Sequence, residues 1–226
     1  MEILPIAKIK NSFKEKFGIP RQSGICNVLS YIVFEKEYNV KEAFRGLEEY
    51  SHIWLIWEFS EFSDKKWSPT VRPPRLGGNK RIGVFATRSP NRPNSLGLSS
   101  VKLLRIIEDS SFGTVLEVSG ADLMDETPIY DIKPYVKYSD SHPDSTCSFS
   151  DDFSDYKIQV SVCDEVLSSY PKNIIDEIVS ILSLDPKPSY QKDLTRIYGM
   201  SYGDYNVKFQ YTAEGILLLK IAKINC

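Results

Sequence analysis

A chain of 226 residues with 42% hydrophobic and 26% charged residues holds enough apolar material for one large domain, or one domain and a small appendage. It has no apolar run of bilayer-spanning length. The first residues lack the basic segment and apolar core of a secretory leader, and Cys26, Cys147, Cys163 and Cys226 are scattered with only His52 and His142 for company. A cytoplasmic protein with reduced thiols and no metal site is therefore expected. The net charge of -2 conceals an uneven distribution, because residues 65–107 carry ten basic side chains and no Asp or Glu. Such a stretch, interrupted by Pro and Gly, points to an anion-facing surface.

In chain order, residues 4–9, 25–34 and 52–59 read as strands, being short, rich in β-branched and aromatic residues and bounded by turn formers. Residues 40–50 carry a weaker helical pattern through Ala43, Phe44 and Leu47. Further strands are expected over 82–87, 98–107, 114–118 and 129–136. Many strands with almost no helix between them argue for a barrel or curled sheet and against a βαβ arrangement. Residues 139–155, dominated by Ser, Asp and Pro, read as a linker, which divides the chain into 1–145 and 146–226. Beyond it, Pro171 can open a helix with an apolar face of Ile174, Ile175, Ile178, Ile181 and Leu182. Residues 207–211 and 216–221 read as a closing hairpin. The expected fold is mainly β: a small β-barrel domain with a smaller α+β C-terminal domain.

Neither Gly-x-Gly-x-x-Gly nor the phosphate-binding Gly-x-x-x-x-Gly-Lys-Ser/Thr is present, which argues against dinucleotide and P-loop sites. Two clusters carry the chemistry instead. The first runs from Phe85 to Ser99, where Pro90 and Pro93 stiffen a loop whose Arg88, Arg92, Asn91, Asn94 and Ser89 offer donors to a carboxylate, ribose or phosphate. The second runs from Gly120 to Tyr135 and gathers carboxylates beside Tyr and Lys. Within it, Asp131 and Lys133 fall on the same face of one strand, as an ion pair would.

The run Ala86-Thr87-Arg88-Ser89-Pro90-Asn91-Arg92-Pro93-Asn94 with Gly97 and Ser99, followed by Asp125-x-Thr127-Pro128-x-x-Asp131-x-Lys133-Pro134-Tyr135, resembles the TrmO family, also called TsaA-like or YaeB-like proteins. Residues 13–22, 51–54 and, in the tail, 185–190, 198–200 and 206–208 extend the resemblance over nearly the whole chain. It implies a β-barrel that binds S-adenosylmethionine near a homodimer interface. It also implies N6-methylation of threonylcarbamoyladenosine beside the anticodon of a threonine tRNA. Carried over motif by motif, the implied cofactor contacts are Pro20, Arg21, Gln22, Ser60, Glu61, Arg88, Leu98, Ala121, Asp122, Leu123 and Met124. Ser60-Glu61 stands where many members carry His-Gln. An N6 that bears a carbonyl substituent needs its proton removed, and Asp131 is the candidate base, with Lys133 and Tyr135 as orienting or substrate-contact residues; the alternative base is the substrate's own threonine carboxylate.

The residues by themselves also accommodate a non-enzymatic nucleic-acid-binding barrel, or a methyltransferase with another acceptor. In the tRNA reading, Arg72, Arg75, Lys80, Arg81 and Arg92 are the expected phosphate contacts, with Arg196, Tyr198 and Lys208 extending that surface. The affinity for tRNA is then expected to fall about tenfold or more between low and physiological salt, as phosphate-bound counterions are no longer released at a gain. Filter binding at a series of ionic strengths checks this, and an affinity flat across salt would remove the nucleic-acid reading of the basic stretch.

Overall fold

The computed structural model describes residues 2–62, 66–187, 191 and 193–224. Met1, Lys65, Pro188, Ser189, Tyr190 and Cys226, which enter the sequence reading, lie outside the described residues. The strands are β1 (Ala7–Asn11), β2 (Leu29–Phe34), β3 (His52–Glu58), the short pair β4 (Thr70–Val71) and β5 (Ile82–Gly83), then β6 (Leu96–Asp109), β7 (Gly113–Ser119), β8 (Pro128–Pro134), β9 (Val160–Val162), β10 (Ile197–Tyr202), β11 (Tyr205–Tyr211) and β12 (Ile216–Lys223). The helices are α1 (Lys137–Asp140), α2 (Asp164–Ser169) and α3 (Lys172–Ser183).

Six strands close into a barrel in the order β1-β2-β7-β6-β3-β8, with β8 pairing back to β1. The period of two along each strand sorts the side chains: Ile53, Leu55 and Trp57 of β3 point inward, while His52, Trp54, Ile56 and Glu58 point outward. Ile9, Ile32, Val101, Leu116, Val118 and Ile129 complete a buried interior with them. Where the β3·β8 ladder passes from Ile56 to Trp57, β8 carries one extra residue, Tyr130, so that Ile56 faces Asp131 and Trp57 faces Ile129.

The strand expected over 82–87 is cut short. After β5, Val84–Ala86 form a 3₁₀ turn in which Val84 is buried, and both the amide and the hydroxyl of Thr87 donate to the Val84 carbonyl, at 3.1 and 2.9 Å. Local side-chain bonding of this kind competes with a sheet ladder. The helix expected over 40–50 is two 3₁₀ turns, Lys41–Phe44 and Leu47–Glu49, separated at Gly46, whose φ of 85° breaks the helix. The expected linker contains the end of α1 and a 3₁₀ segment, Ser148–Phe153.

Beyond the linker a second sheet has the order β10-β11-β12-β9, with β9 parallel to β12. The β11/β12 hairpin was legible from the sequence; β10, whose residues alternate between exposed and buried, was not. Pro171 precedes α3, and Ile175, Ile178, Ile181 and Leu182 are buried against Val207, Phe209, Leu218 and Ile221, as helical spacing predicts. The same apolar cluster takes in Phe13, Cys26 and Val28 from the first half of the chain, so the barrel and the second sheet share packed side chains.

Candidate functional site

A pocket of about 510 Å³ opens at the barrel mouth. Five chain segments meet there because strands β3 and β6 end and begin at the same level, Glu58 pairing with Leu96 and Trp57 with Gly97. Trp57, Phe59, Ser60 and Glu61 come from the end of β3, Leu96 and Leu98 from the start of β6, Asp122 and Met124 from the loop after β7, and Pro20, Arg21 and Gln22 from the segment after β1. Arg88 enters from the Arg-Pro-Asn loop.

The floor is a chain of hydrogen bonds. Trp57 Nε1 donates to Ser99 Oγ at 3.0 Å, and Ser99 Oγ donates to Asp122 Oδ1 at 2.5 Å. Burial pushes the Asp122 carboxyl pKa up, while the bond from Ser99 pulls in the other direction. A carboxylate this enclosed is costly unless a positive charge comes to it. Gly97 makes room for the indole, since a Cβ there would lie 2.3 Å from Trp57 Cε2. Nearby, Tyr130 Oη donates to Glu58 Oε2 at 2.5 Å, and burial, then the Glu58 charge, pushes the phenol pKa up to about 12, so Tyr130 holds Glu58 as a donor at neutral pH.

The Arg-Pro-Asn loop is stiffened by its own side chains. Arg92 Nη1 donates to the Thr87 and Val84 carbonyls at 2.6 and 3.1 Å, and Ser89 Oγ accepts from the Asn91 amide at 3.3 Å. Arg92, expected to meet phosphate, is thus engaged within the loop. Arg88 Nη1 donates to Gln22 Oε1 at 2.6 Å, which leaves its remaining donors at the pocket rim. Lys16 pairs with Glu61 and lies over the Phe62 ring at 4.4 Å, closing one side of the mouth. The acidic residue that departs from the family's usual Gln is therefore charge-balanced.

Of the implied cofactor contacts, Pro20, Arg21, Gln22, Ser60, Glu61, Arg88, Leu98, Asp122 and Met124 line this pocket. Ala121 and Leu123 do not: they alternate with the pocket-lining residues and are buried in the barrel interior. Asp131 and Lys133 also lie away from it, ion-paired at 2.8 Å on the outer barrel wall. There Asp131 is the cross-strand partner of Ile56, whose other neighbour is Leu98, and Lys133 is the partner of Trp54. Tyr135 lines a second, shallower cleft of about 430 Å³ with His52, Trp54, Ser100 and Asp140, and Arg88 borders both cavities. Trp54 and Tyr135 rings are 5.8 Å apart, and Asp140 Oδ2 fixes Trp54 by accepting from its Nε1 at 2.8 Å. The main-chain amide of Val136 and then Trp54 hold the Asp140 pKa below its usual value.

Among the other basic residues, Arg105 is held in a two-bond pair with Glu117, Arg81 donates to Thr70 Oγ1 at 2.8 Å, and Arg72, Lys80 and Lys208 are exposed. Tyr198 is a packing residue, buried and stacked on Phe209 at 5.5 Å. The sequence reading missed Trp57, Phe59, Glu58 and Lys16 as pocket residues. The strand period marks Trp57 as inward-facing, and only the strand's position at the barrel mouth makes it a pocket wall. No cluster of metal-ligating side chains is present among the described residues.

Residues 8–141 match the family described as tRNA-methyltransferase O N-terminal domain, and residues 155–224 match the TrmO C-terminal domain. The chain is 38% identical over 222 residues to the tRNA (adenine(37)-N6)-methyltransferase of Escherichia coli (strain K12), covering 93% of each chain. It is 42% identical over 174 residues to the protein of the same name from Eikenella corrodens, covering 76% of this chain and 96% of that one. A crystal structure of TrmO from Pseudomonas aeruginosa superposes with a TM-score of 0.78 at 30% identity, over 98% of each chain.

Gly97→Ala is expected to push the Trp57 ring off Ser99 and to cost about 1–3 kcal/mol of stability, the usual range for overpacking. Denaturant unfolding, followed with tryptophan fluorescence, measures both effects. An unchanged midpoint and spectrum would mean that the ring is not confined as described.

Proposed function

Since the chain belongs to the tRNA-methyltransferase O family, we propose that it methylates N6 of threonylcarbamoyl-modified adenosine 37 in threonine tRNA, with S-adenosylmethionine as donor. The observation that carries this reading is the partly buried Asp122 at the floor of a pocket whose rim bears Arg88, next to an aromatic cleft that shares Arg88. The donor supplies an already activated methyl group on a sulfonium. Its three chemical parts fit the lining: apolar Trp57, Leu98 and Met124 for the adenine, Arg88 for the carboxylate and Asp122 for the positive charge.

The cleft is the proposed acceptor seat. Single-stranded anticodon bases splay out readily and stack on aromatic faces, and Trp54, Tyr135 and His52 offer three rings on one wall. Asp131 and Lys133 are accordingly acceptor-side groups on the same outer wall. Asp131 is the proposed proton acceptor for N6, and its pairing with Lys133 orients it. Holding donor and acceptor in adjoining cavities supplies rate by positioning. The exposed Phe85, with Leu96 at the pocket rim, is the proposed contact for a second copy of the chain. The division at residues 145 and 146 is kept as a proposal, the C-terminal part adding surface for tRNA.

Transfer of label from S-adenosylmethionine to bulk tRNA, with tRNA lacking threonylcarbamoyladenosine as control, tests the function directly. Label confined to N6 of the modified nucleoside is the expected result, and label on the control tRNA would assign another acceptor. In the same assay Asp131→Asn is expected to lose about 10²-fold or more in rate, the range of general-base catalysis. Full activity of the variant would pass that role to the threonine carboxylate of the substrate.

A pH dependence follows from Asp122. Its pKa in the folded protein lies above the ordinary aspartate value, so its charge is lost at a higher pH than for an exposed aspartate as acid is added. A cationic donor binds the ionised form, and affinity therefore weakens as pH falls through that raised value. Calorimetric titrations across pH should show this fall in the wild type and a flat, weaker profile in Asp122→Asn. Parallel profiles would dissociate Asp122 from the donor's charge.

A further inference from the structure

Helix α3 ends in a turn that meets Arg21, one of the pocket-lining residues. In its last turn the carbonyls of Ile181 and Leu182 accept from the amides of Leu184 and Asp185 at 3.1 and 3.0 Å. Asp185 has a φ of 55°, the left-handed conformation that glycine adopts most readily just past a helix, and Pro186 then prevents the helix from continuing. A residue with a side chain holds this position, and that side chain is fully engaged. Asp185 Oδ1 accepts from Tyr211 Oη at 2.7 Å and Oδ2 accepts from Tyr156 Oη at 3.1 Å. Burial in the C-terminal core, then the Asp185 charge, pushes the Tyr211 phenol pKa up, which keeps it a donor at neutral pH.

Held in this way, residues 184–187 present main-chain carbonyls to the barrel side. Arg21 Nη2 donates to the carbonyls of Asp185 and Lys187 at 3.1 and 3.3 Å. Arg75 Nη2 donates to the Leu184 carbonyl at 3.3 Å, and its guanidinium lies 4.9 and 4.8 Å from the Phe153 and Tyr156 rings. Arg75 was an expected phosphate contact and Arg21 an implied cofactor contact, yet both are engaged on the C-terminal half. Arg21 sits between Pro20 and Gln22, which line the pocket, and Gln22 in turn receives Arg88.

We infer that Asp185 is a positioning residue for the donor pocket: anchored by Tyr211 and Tyr156, it sets the turn whose carbonyls hold Arg21, and through Gln22 it fixes Arg88 at the rim. The C-terminal sheet is then part of the construction of the donor site, in addition to any surface it offers to tRNA. The ligand named in the test rests on the proposed function, while the mechanical claim does not.

The test uses the full chain with Asp185→Gly, which keeps the left-handed turn and removes the carboxylate, and Asp185→Asn, which keeps an accepting oxygen. Tyr202→Phe serves as control, since it removes a bond from a buried tyrosine to Glu177 in the same core, away from the pocket. Amide exchange of residues 19–24 is measured without ligand, and S-adenosylmethionine affinity by calorimetry. Asp185→Gly is expected to speed exchange in that segment and to weaken the donor about tenfold, within the range of couplings carried through packed networks. Asp185→Asn is expected to restore most of both, and Tyr202→Phe to lower thermal stability without moving either. Unchanged exchange in Asp185→Gly overturns the inference whether or not the donor binds. If exchange rises while donor affinity stays at the wild-type value, the pocket part of the inference fails. Absence of donor binding by the wild type falls on the proposed function alone, and exchange then decides the inference.

Discussion

Closure of the sheet is the constraint on which the rest of this structure depends. Six strands joined in a ring leave no open edge, and a closed barrel must tilt and stagger its strands, so that the ends of non-consecutive strands come to one level. Here the end of β3, the start of β6 and the loop from β7 to β8 meet at one mouth, and β8 is the last strand needed to close the ring. Its pairing with β1 is short, Ala7 with Ile129 and Lys8 with Pro128, and side chains reinforce it. Asn11 donates to the Leu123 carbonyl at 2.9 Å, and Asp125 accepts from the Asn11 amide at 2.9 Å and from Lys14 at 2.5 Å. Those bonds set the path of the loop that carries Asp122.

The interior then decides the chemistry of the mouth. Because Ala121 and Leu123 are drawn into the apolar core, the intervening Asp122 and Met124 face the pocket. Because Trp57 is inward and has no Cβ opposite it at Gly97, its indole lies flat enough against β6 to bond Ser99. A partly buried carboxylate, an indole and a hydroxyl in one line are expensive to assemble without bonding partners, and each finds its partner in the line.

On the outside, the two cavities divide the implied site residues. The Asp131–Lys133 pair and Tyr135 share the outer wall with Trp54, across β3 from the start of β6, and Arg88 stands where the two cavities meet. This separates groups suited to a small cationic donor from groups suited to a stacked base. The C-terminal half accepts hydrogen bonds from Arg21 and Arg75 through its main-chain carbonyls, so that part of the barrel's basic surface is engaged by the second half and is not wholly directed to solvent.

The sequence alone determined most strands of the barrel, the apolar face of α3, the hairpin of β11 and β12, and nine of the residues that line the pocket. Alternation along strands, helical spacing and the long Arg-Pro-Asn and Asp-x-Lys-Pro-Tyr motifs are all local signals. It could not place Trp57 at a pocket wall, send Arg92 back into its own loop, or set Asp131 apart from Asp122, because these depend on which strand ends a closed barrel brings together. Nor could it announce that Asp185 bonds Tyr211 and Tyr156, or that Arg21 finds carbonyls more than 160 residues away, at 185 and 187. Residue type and period are written along the chain, whereas the partner of a buried charge is selected only when distant segments pack and water is excluded.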